Sequence, residues 1–391
     1  MPYMFTTKIE KFFKWLKTFL PFLGISFLFF SLVILITFLF NYYSVNSFAW
    51  SQKINPFYLL IRWDSMHYLD IVLQGYTSQL IFFPLYPLVV AGFSFFFPPI
   101  FSGFLVSFLS LATALYYLEK LIKIDNEQTV VNKSMLLLLI FPAAMFFSLI
   151  YTESLFLAII VAFFYYAKKG KWLAAAIIGF FASLTRNMGI FLWPVYLVYI
   201  FLSFYPANIN HLEKRIIGLA QKKEFWYSLI IPTGLLLYCL YGYFRVGDFF
   251  SFINGQNGWA QWRAFTWPGK TFYNFYKIIF IDSIDQTGLY NFLRIVVIEG
   301  ASFLLLLVAT IYWIIKKHWP YAMFCLLNVL LFSCIYPMLS ANRYTAVIFP
   351  IFIFLATVTK KIDWLFYTIL LTSFAFFVFN VYLFSTGSWA G

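Results

Sequence analysis

The sequence predicts an all-α polytopic membrane protein: one integral-membrane domain over residues 1–391, a bundle of about eleven to twelve transmembrane helices with short helices in its non-cytoplasmic loops. Three observations predict it. Only 10% of residues are charged and 63% are hydrophobic, whereas a soluble domain keeps roughly 25% charged residues. Stretches such as "SFLFFSLVILITFLF" run without a single charge. The net charge of +13 is divided among short Lys/Arg clusters between apolar segments. That pattern is a topology signal, not a groove for nucleic acid.

Taken in order, the basic start "KIEKFFKWLKTFL" leads into a long apolar run with no small-x-small cleavage pattern, so it reads as a retained first span. Apolar spans follow near 19–41, 100–121, 133–150, 151–167, 172–186, 188–206, 226–245, 290–315, 320–338, 343–359 and 363–384. Lys8, Lys11, Lys14 and Lys17 precede the first of them. Placing these on the cytoplasmic side puts there Lys120, Lys123, Lys133, Lys168, Lys169, Lys171, Lys214, Arg215, Lys222, Lys223, Lys316, Lys317, Lys360 and Lys361, provided residues 81–122 cross an odd number of times. Residues 81–98 are therefore expected to be re-entrant, tilted or merged with the next span. Two long connections, 42–80 and 246–288, then face the other side, with the turns "IYTES", "TRNMG" and "LSANR". Cys239, Cys325 and Cys334 fall in apolar stretches and read as small buried hydrophobes. With His67, His211 and His318 far apart, no metal centre is expected.

Ionisable groups concentrate in "RWDSMHYLDIVLQGY" (62–76). On a helix, Asp64, His67 and Ile71 share a face while Asp70 turns aside. A carboxylate at the membrane–water boundary suits a general base, and Asp64 beside Trp63 fits better than Asp70. A solvated amphipathic loop is the plainer alternative. Glu153, at the tip of a hairpin, is costly in lipid unless it faces a cavity or a partner, or caps the next helix. Arg186, Arg245, Arg263, Lys270, Arg294 and Arg343 run against the positive-inside trend; some of them snorkel by default, while Arg343 could hold a phosphate. "FFSFINGQNGWAQWRAFTWPGK" offers Gln256 and Arg263 among tryptophans, a set suited to a sugar or headgroup and equally to an interfacial belt. Glu299, inside a span, reads as a buried hydrogen-bonding group.

"RWDSMHYLDIVLQGY", "FFPLYPLVV", "FPAAMFFSLIYTESLF", "ASLTRNMGIFLWP" and "SANRYTAVIFPIF" occur in the order of the motifs of the PIG-V family, the second mannosyltransferase of GPI-anchor assembly, which the chain resembles from about residue 60 to 355. Its compactness is more similar to a prokaryotic relative. The resemblance implies a GT-C glycosyltransferase using a polyprenyl- or dolichyl-phosphate sugar, with its site on the non-cytoplasmic face, in the plasma membrane of a prokaryote or the endoplasmic reticulum membrane of a eukaryote. The implied acceptor is a glycolipid or glycan, which in eukaryotic relatives is the GPI precursor. The family's acidic residue of the first outer loop maps to Asp64, and further acidic residues in the second outer loop of GT-C enzymes to Glu153.

These readings give an expected mechanism. Asp64 deprotonates the acceptor for inverting transfer, His67 or Glu153 orients it or binds sugar hydroxyls, and Arg343, Arg186 and Arg263 hold the donor phosphate, with Gln256 and Trp63 contacting substrate. A lipid-phosphate donor needs no cofactor or nucleotide-linked metal. Membrane lipid is the other partner, with an accessory membrane subunit as a further one. The alternatives are a transporter or flippase for a lipid-linked sugar, a class that commonly shows internal repeats and broken midplane helices, neither of which is read in this sequence, and a non-catalytic membrane subunit.

Overall fold

A computed structural model describes residues 2–44, 56–77, 80–205, 212–259, 264–270, 273, 276–277, 297–336 and 340–388. The first apolar segment forms α1 (Pro2–Ser44). The following loop holds α2 (Pro56–Leu59) and α3 (Asp64–Gln74). Next come α4 (Leu85–Ser94), α5 (Pro99–Ile122), α6 (Gln128–Leu139), α7 (Glu153–Lys168), α8 (Trp172–Ser183) and α9 (Leu192–Phe204). The chain continues through α10 (Leu212–Ala220), α11 (Lys223–Ser228), α12 (Ile230–Val246) and α13 (Ser251–Trp259). It ends with α14 (Gly300–Ile315), α15 (Trp319–Ser333), α16 (Ala341–Ala346), α17 (Pro350–Val358) and α18 (Asp363–Ser385). The only strand pairing among the described residues joins Ala264–Phe265 to Ile335–Tyr336.

This is an all-α membrane protein. Six helical segments among the described residues are long and apolar enough to cross a bilayer: Trp15–Asn41, Pro99–Ile122, Asn187–Phe204, Lys223–Val246, Val297–Ile315 and Asp363–Ser385. Several other apolar helices fall short of the eleven full spans read from the sequence. At 1.5 Å per residue, α4 is about 15 Å long, α6 and α8 about 18 Å and α17 about 14 Å, against a hydrocarbon core of about 30 Å. α4 fits the expectation of a re-entrant 81–98. Its Tyr86 hydroxyl donates to the Gly103 carbonyl at 3.1 Å, so α4 runs beside the first turns of α5 and reverses at 95–98.

The unbroken spans expected at 133–150 and 343–359 are corrected. α6 stops at Leu139, a short 3₁₀ turn covers Ala144–Ser148, and α7 starts at Glu153. α16 and α17 are likewise separated. Pro142 and Pro350 lack the amide proton a continuous ladder requires. Irregular backbone survives in an apolar bundle only where protein groups satisfy it. Here Ser107 Oγ donates to the Leu149 carbonyl at 2.6 Å, Asn380 Nδ2 to Pro142 at 2.9 Å and Trp313 Nε1 to Pro350 at 3.2 Å.

α5 packs along α7, and α8 along both α7 and α12. Small residues permit this close approach, as expected where apolar burial alone does not drive helices together. A Cβ on Gly103 would meet Ile150 at 2.7 Å, and one on Gly179 would meet Ile231 at 2.8 Å. One end of the bundle is fastened by lysines. Lys133 Nζ lies 2.9 Å from Asp363 and donates to the Thr359 carbonyl at 2.9 Å, Lys168 pairs with Asp125, and Lys360 with Glu127 at 2.9 Å. The turns after α5, α7 and α17 thus meet at one end, about 24 Å along α7 from Glu153.

Candidate active site

At the opposite end of α7, four charged groups from four distant segments meet. Asp64 opens α3, Glu153 opens α7, Arg186 follows α8 and Arg343 sits in α16. Arg343 bridges two carboxylates: its Nη1 donates to Asp64 Oδ2 at 2.7 Å and its Nε to Glu153 Oε1. Arg186 Nη1 reaches the same Glu153 oxygen at 2.7 Å and Thr152 Oγ1 at 3.3 Å. The side chains of Glu153, Arg186, Arg343 and Asp64 are only 0, 7, 8 and 13% exposed. Both arginines are therefore among the cations of this face that are paired inside the bundle. Structural pairing, one of the plainer readings of Glu153, is present, whereas no side-chain cap bond is made at the start of α7.

Local structure explains how each group is held. Pro350 and the break at 347–349 keep α16 short, and Glu299 anchors its start, accepting the Ser340 amide at 3.0 Å and the Asn342 amide at 2.6 Å. The hydrogen-bonding role read for Glu299 therefore bears directly on where Arg343 sits. Gly189, in the turn Asn187–Phe191 after Arg186, lies so close to the Ala182 carbonyl that no Cβ fits. Trp63 precedes α3 with φ 55°, a left-handed conformation rare for a bulky side chain. Its indole is exposed beside Asp64. Strain of this kind persists where the surroundings enforce it, and it gathers at functional sites.

The aromatic lining is what sequence reasoning missed. The Arg343 guanidinium lies 4.6 Å from the Tyr151 ring centre and 5.1 Å from that of Phe146; Arg186 lies 4.5 Å from Tyr344. Such faces attract cations, more so when both are desolvated. The Tyr151 hydroxyl donates to the Arg62 carbonyl at 3.0 Å, tying the turn before α7 to the turn before Asp64. The available signal was adjacency: Tyr151 and Thr152 precede Glu153, and Tyr344 follows Arg343.

His67 lies one turn beyond Asp64 and its ring stacks on Phe82, centroids 5.3 Å apart. Gln256 belongs to α13, but its side chain lies outside the described residues, as does Arg263 altogether. Several buried polar atoms in these segments have no partner among the described residues: Glu153 Oε2, Ser65 Oγ beside Asp64, and Asn342 Nδ2 and Thr345 Oγ1 beside Arg343. Buried polar atoms are normally bonded to protein, water or ligand. An apolar groove of about 440 Å³ among α4, α5, α7 and α8 includes Leu155, two residues from Glu153, with Leu85, Val89, Leu109 and Phe181.

A charge-balanced, largely buried ion network is no source of net stability, since apolar residues of similar size do as well. Charges retained inside an apolar bundle mark a functional site by default. The arrangement offers guanidinium donors for an anion, carboxylates for a hydroxyl proton, and unsatisfied polar atoms for a hydroxylated ligand. No family model, curated protein or solved structure matches the chain.

Proposed function

We infer that the chain is an inverting membrane glycosyltransferase of the GT-C type, a mannosyltransferase moving its sugar from a polyprenyl- or dolichyl-phosphate to a lipid-linked or cell-surface glycan on the non-cytoplasmic side of a plasma membrane. One observation carries this reading: Asp64, Glu153, Arg186 and Arg343 converge in one largely buried cluster, with polar atoms around it that have no partner among the described residues. The order of the PIG-V-like motifs supports the choice of sugar and donor.

In this reading the isoprenoid tail lies in the apolar groove beside Leu155 and the donor phosphate is taken up by Arg343 and Arg186. Bidentate guanidinium–phosphate contacts are strong and directional. The phosphate competes with Asp64 for Arg343, and the released carboxylate accepts the acceptor's hydroxyl proton. The acceptor oxygen attacks the anomeric carbon from the face opposite the phosphate, the carbon–oxygen bond to the phosphate breaks, and the polyprenyl phosphate leaves with the electron pair. Glu153 Oε2 receives a sugar hydroxyl, His67 steadies Asp64, and Trp63, Gln256 and Arg263 line the acceptor side.

Membranes supplied with radiolabelled polyprenyl-phosphate mannose should form a new labelled lipid or glycan. Asp64→Asn should lower that rate about 10²–10⁴-fold, the usual contribution of a general base. Full activity in the variant would remove Asp64 from that role. A second reading, transport or flipping of a lipid-linked sugar, is favoured by the helix breaks at 140–152 and 347–349 beside the charges, a construction common in transporters. Label that changes leaflet without entering a new product would select it.

A further inference from the structure

α3 carries a second carboxylate, Asp70, on a different face from Asp64. Asp70 is exposed and forms no ion pair among the described residues. Among the described residues, the other carboxylates near this end of the bundle are engaged: Asp64 and Glu153 with arginines, Glu299 with backbone amides, and Asp248 with the Phe250 amide at 2.8 Å and Asn254 Nδ2 at 2.9 Å. Two described cations of this end are occupied as well. Arg62 donates to the Leu59 and Ser385 carbonyls at 3.1 and 3.0 Å, and Arg245 to the Tyr76 carbonyl at 3.1 Å.

Among the described residues, Asp70 is also the only charged group lining a groove of about 360 Å³ between α3 and the start of α5, whose other walls include Ile61, Met66, Leu73, Pro99 and Ile100. Met66 and Leu73 are exposed on the same face, and Phe95, Phe96 and Phe101 are exposed around the neighbouring turn. In a membrane protein this surface meets lipid, where an uncompensated carboxylate is costly. Its complement is a molecule with an apolar chain and a cationic head.

We propose that this groove binds a phospholipid with a primary ammonium headgroup, one acyl chain lying along Ile61, Leu73 and Ile100 and the ammonium paired with Asp70. The site is separate from the Arg343 cluster and does not depend on the glycosyl-transfer reading. The lipid would brace the outer face of the helix whose first residue is Asp64.

The test is native mass spectrometry of the purified full-length chain in detergent, titrated with phosphatidylethanolamine and with phosphatidylglycerol of the same acyl chains. The ethanolamine lipid should bind about tenfold more tightly, the size of one charge-assisted contact. Asp70→Asn should abolish that preference while leaving the weaker glycerol-lipid binding in place. Ile100→Trp, which fills the groove and keeps the carboxylate, should weaken both lipids. Equal binding of the two lipids by the unaltered chain, a preference that survives Asp70→Asn, or a co-purifying polypeptide that occupies the groove and is lost with Asp70→Asn would each overturn the proposal.

Discussion

The two ends of the helical bundle both hold ion pairs, and the pairs differ in kind. At the lysine end, Lys360–Glu127 and Lys133–Asp363 each include a partner more than half exposed, and they fasten turns together. At the other end, Glu153 is fully enclosed and takes two guanidiniums on one oxygen. Exposed pairs of the first kind contribute about 0–1 kcal/mol. Breaking a pair of the second kind leaves a buried charge uncompensated, at about 3–5 kcal/mol. The same elementary interaction therefore serves closure at one end and, in our reading, chemistry at the other.

The largest test of this contrast is Glu153→Gln. It leaves Arg343 with Asp64 alone and Arg186 with no carboxylate partner among the described residues, and the melting temperature in detergent should fall by the equivalent of about 3–5 kcal/mol. An unchanged melt would mean the cluster is not enclosed as described. Gly189→Ala sharpens the same end without touching a charge. The added methyl has no room against Ala182, so a loss of about 1–3 kcal/mol is expected from overpacking, with the proposed sugar transfer reduced as Arg186 shifts.

At the lysine end the larger effect is a pH response. His318 sits in the turn before α15, its ring 3.9 Å from that of Tyr321 and its Nδ1 buried without a partner among the described residues. Burial, and after it the Lys168 ammonium, push its pKa down to about 4. Between that value and the ordinary 6.5 the unfolded chain binds a proton that the folded one refuses. Stability should therefore fall as pH drops through this window, by at most about 1.4 kcal/mol per pH unit, and level off below it. His318→Phe should flatten that segment of a melting-temperature profile; an unaltered slope would assign the acid sensitivity elsewhere. Smallest of all, Lys360→Ala should shift the melt by less than about 1 kcal/mol, and a loss comparable to that of Glu153→Gln would erase the distinction between the two ends.

Much of the site was legible because charge is conspicuous in so apolar a chain. Asp64, Glu153, Arg186 and Arg343 each stood out in a short polar turn, and helical spacing placed Asp70 on another face of α3 from Asp64. The helix breaks were less visible. Pro142 and Pro350 signalled them, but hydropathy averages over a window and reports continuous greasiness whether or not the backbone is helical. The alternation of basic clusters set 81–98 apart as re-entrant, tilted or merged with the next span, and the ten residues of α4 agree with the first of these.

The sequence by itself determined the class of the protein and the identity of its buried charges, since composition fixes which solvent a chain can face and an ionisable group in lipid requires a partner. Only the tertiary structure decided who that partner is. Asp64 meets Arg343 across 279 positions of sequence and Glu153 meets it across 190, and no local pattern encodes such pairings. They are set by which helices stop short, which small residues let neighbours close in, and where broken backbone can find hydrogen bonds inside the bundle.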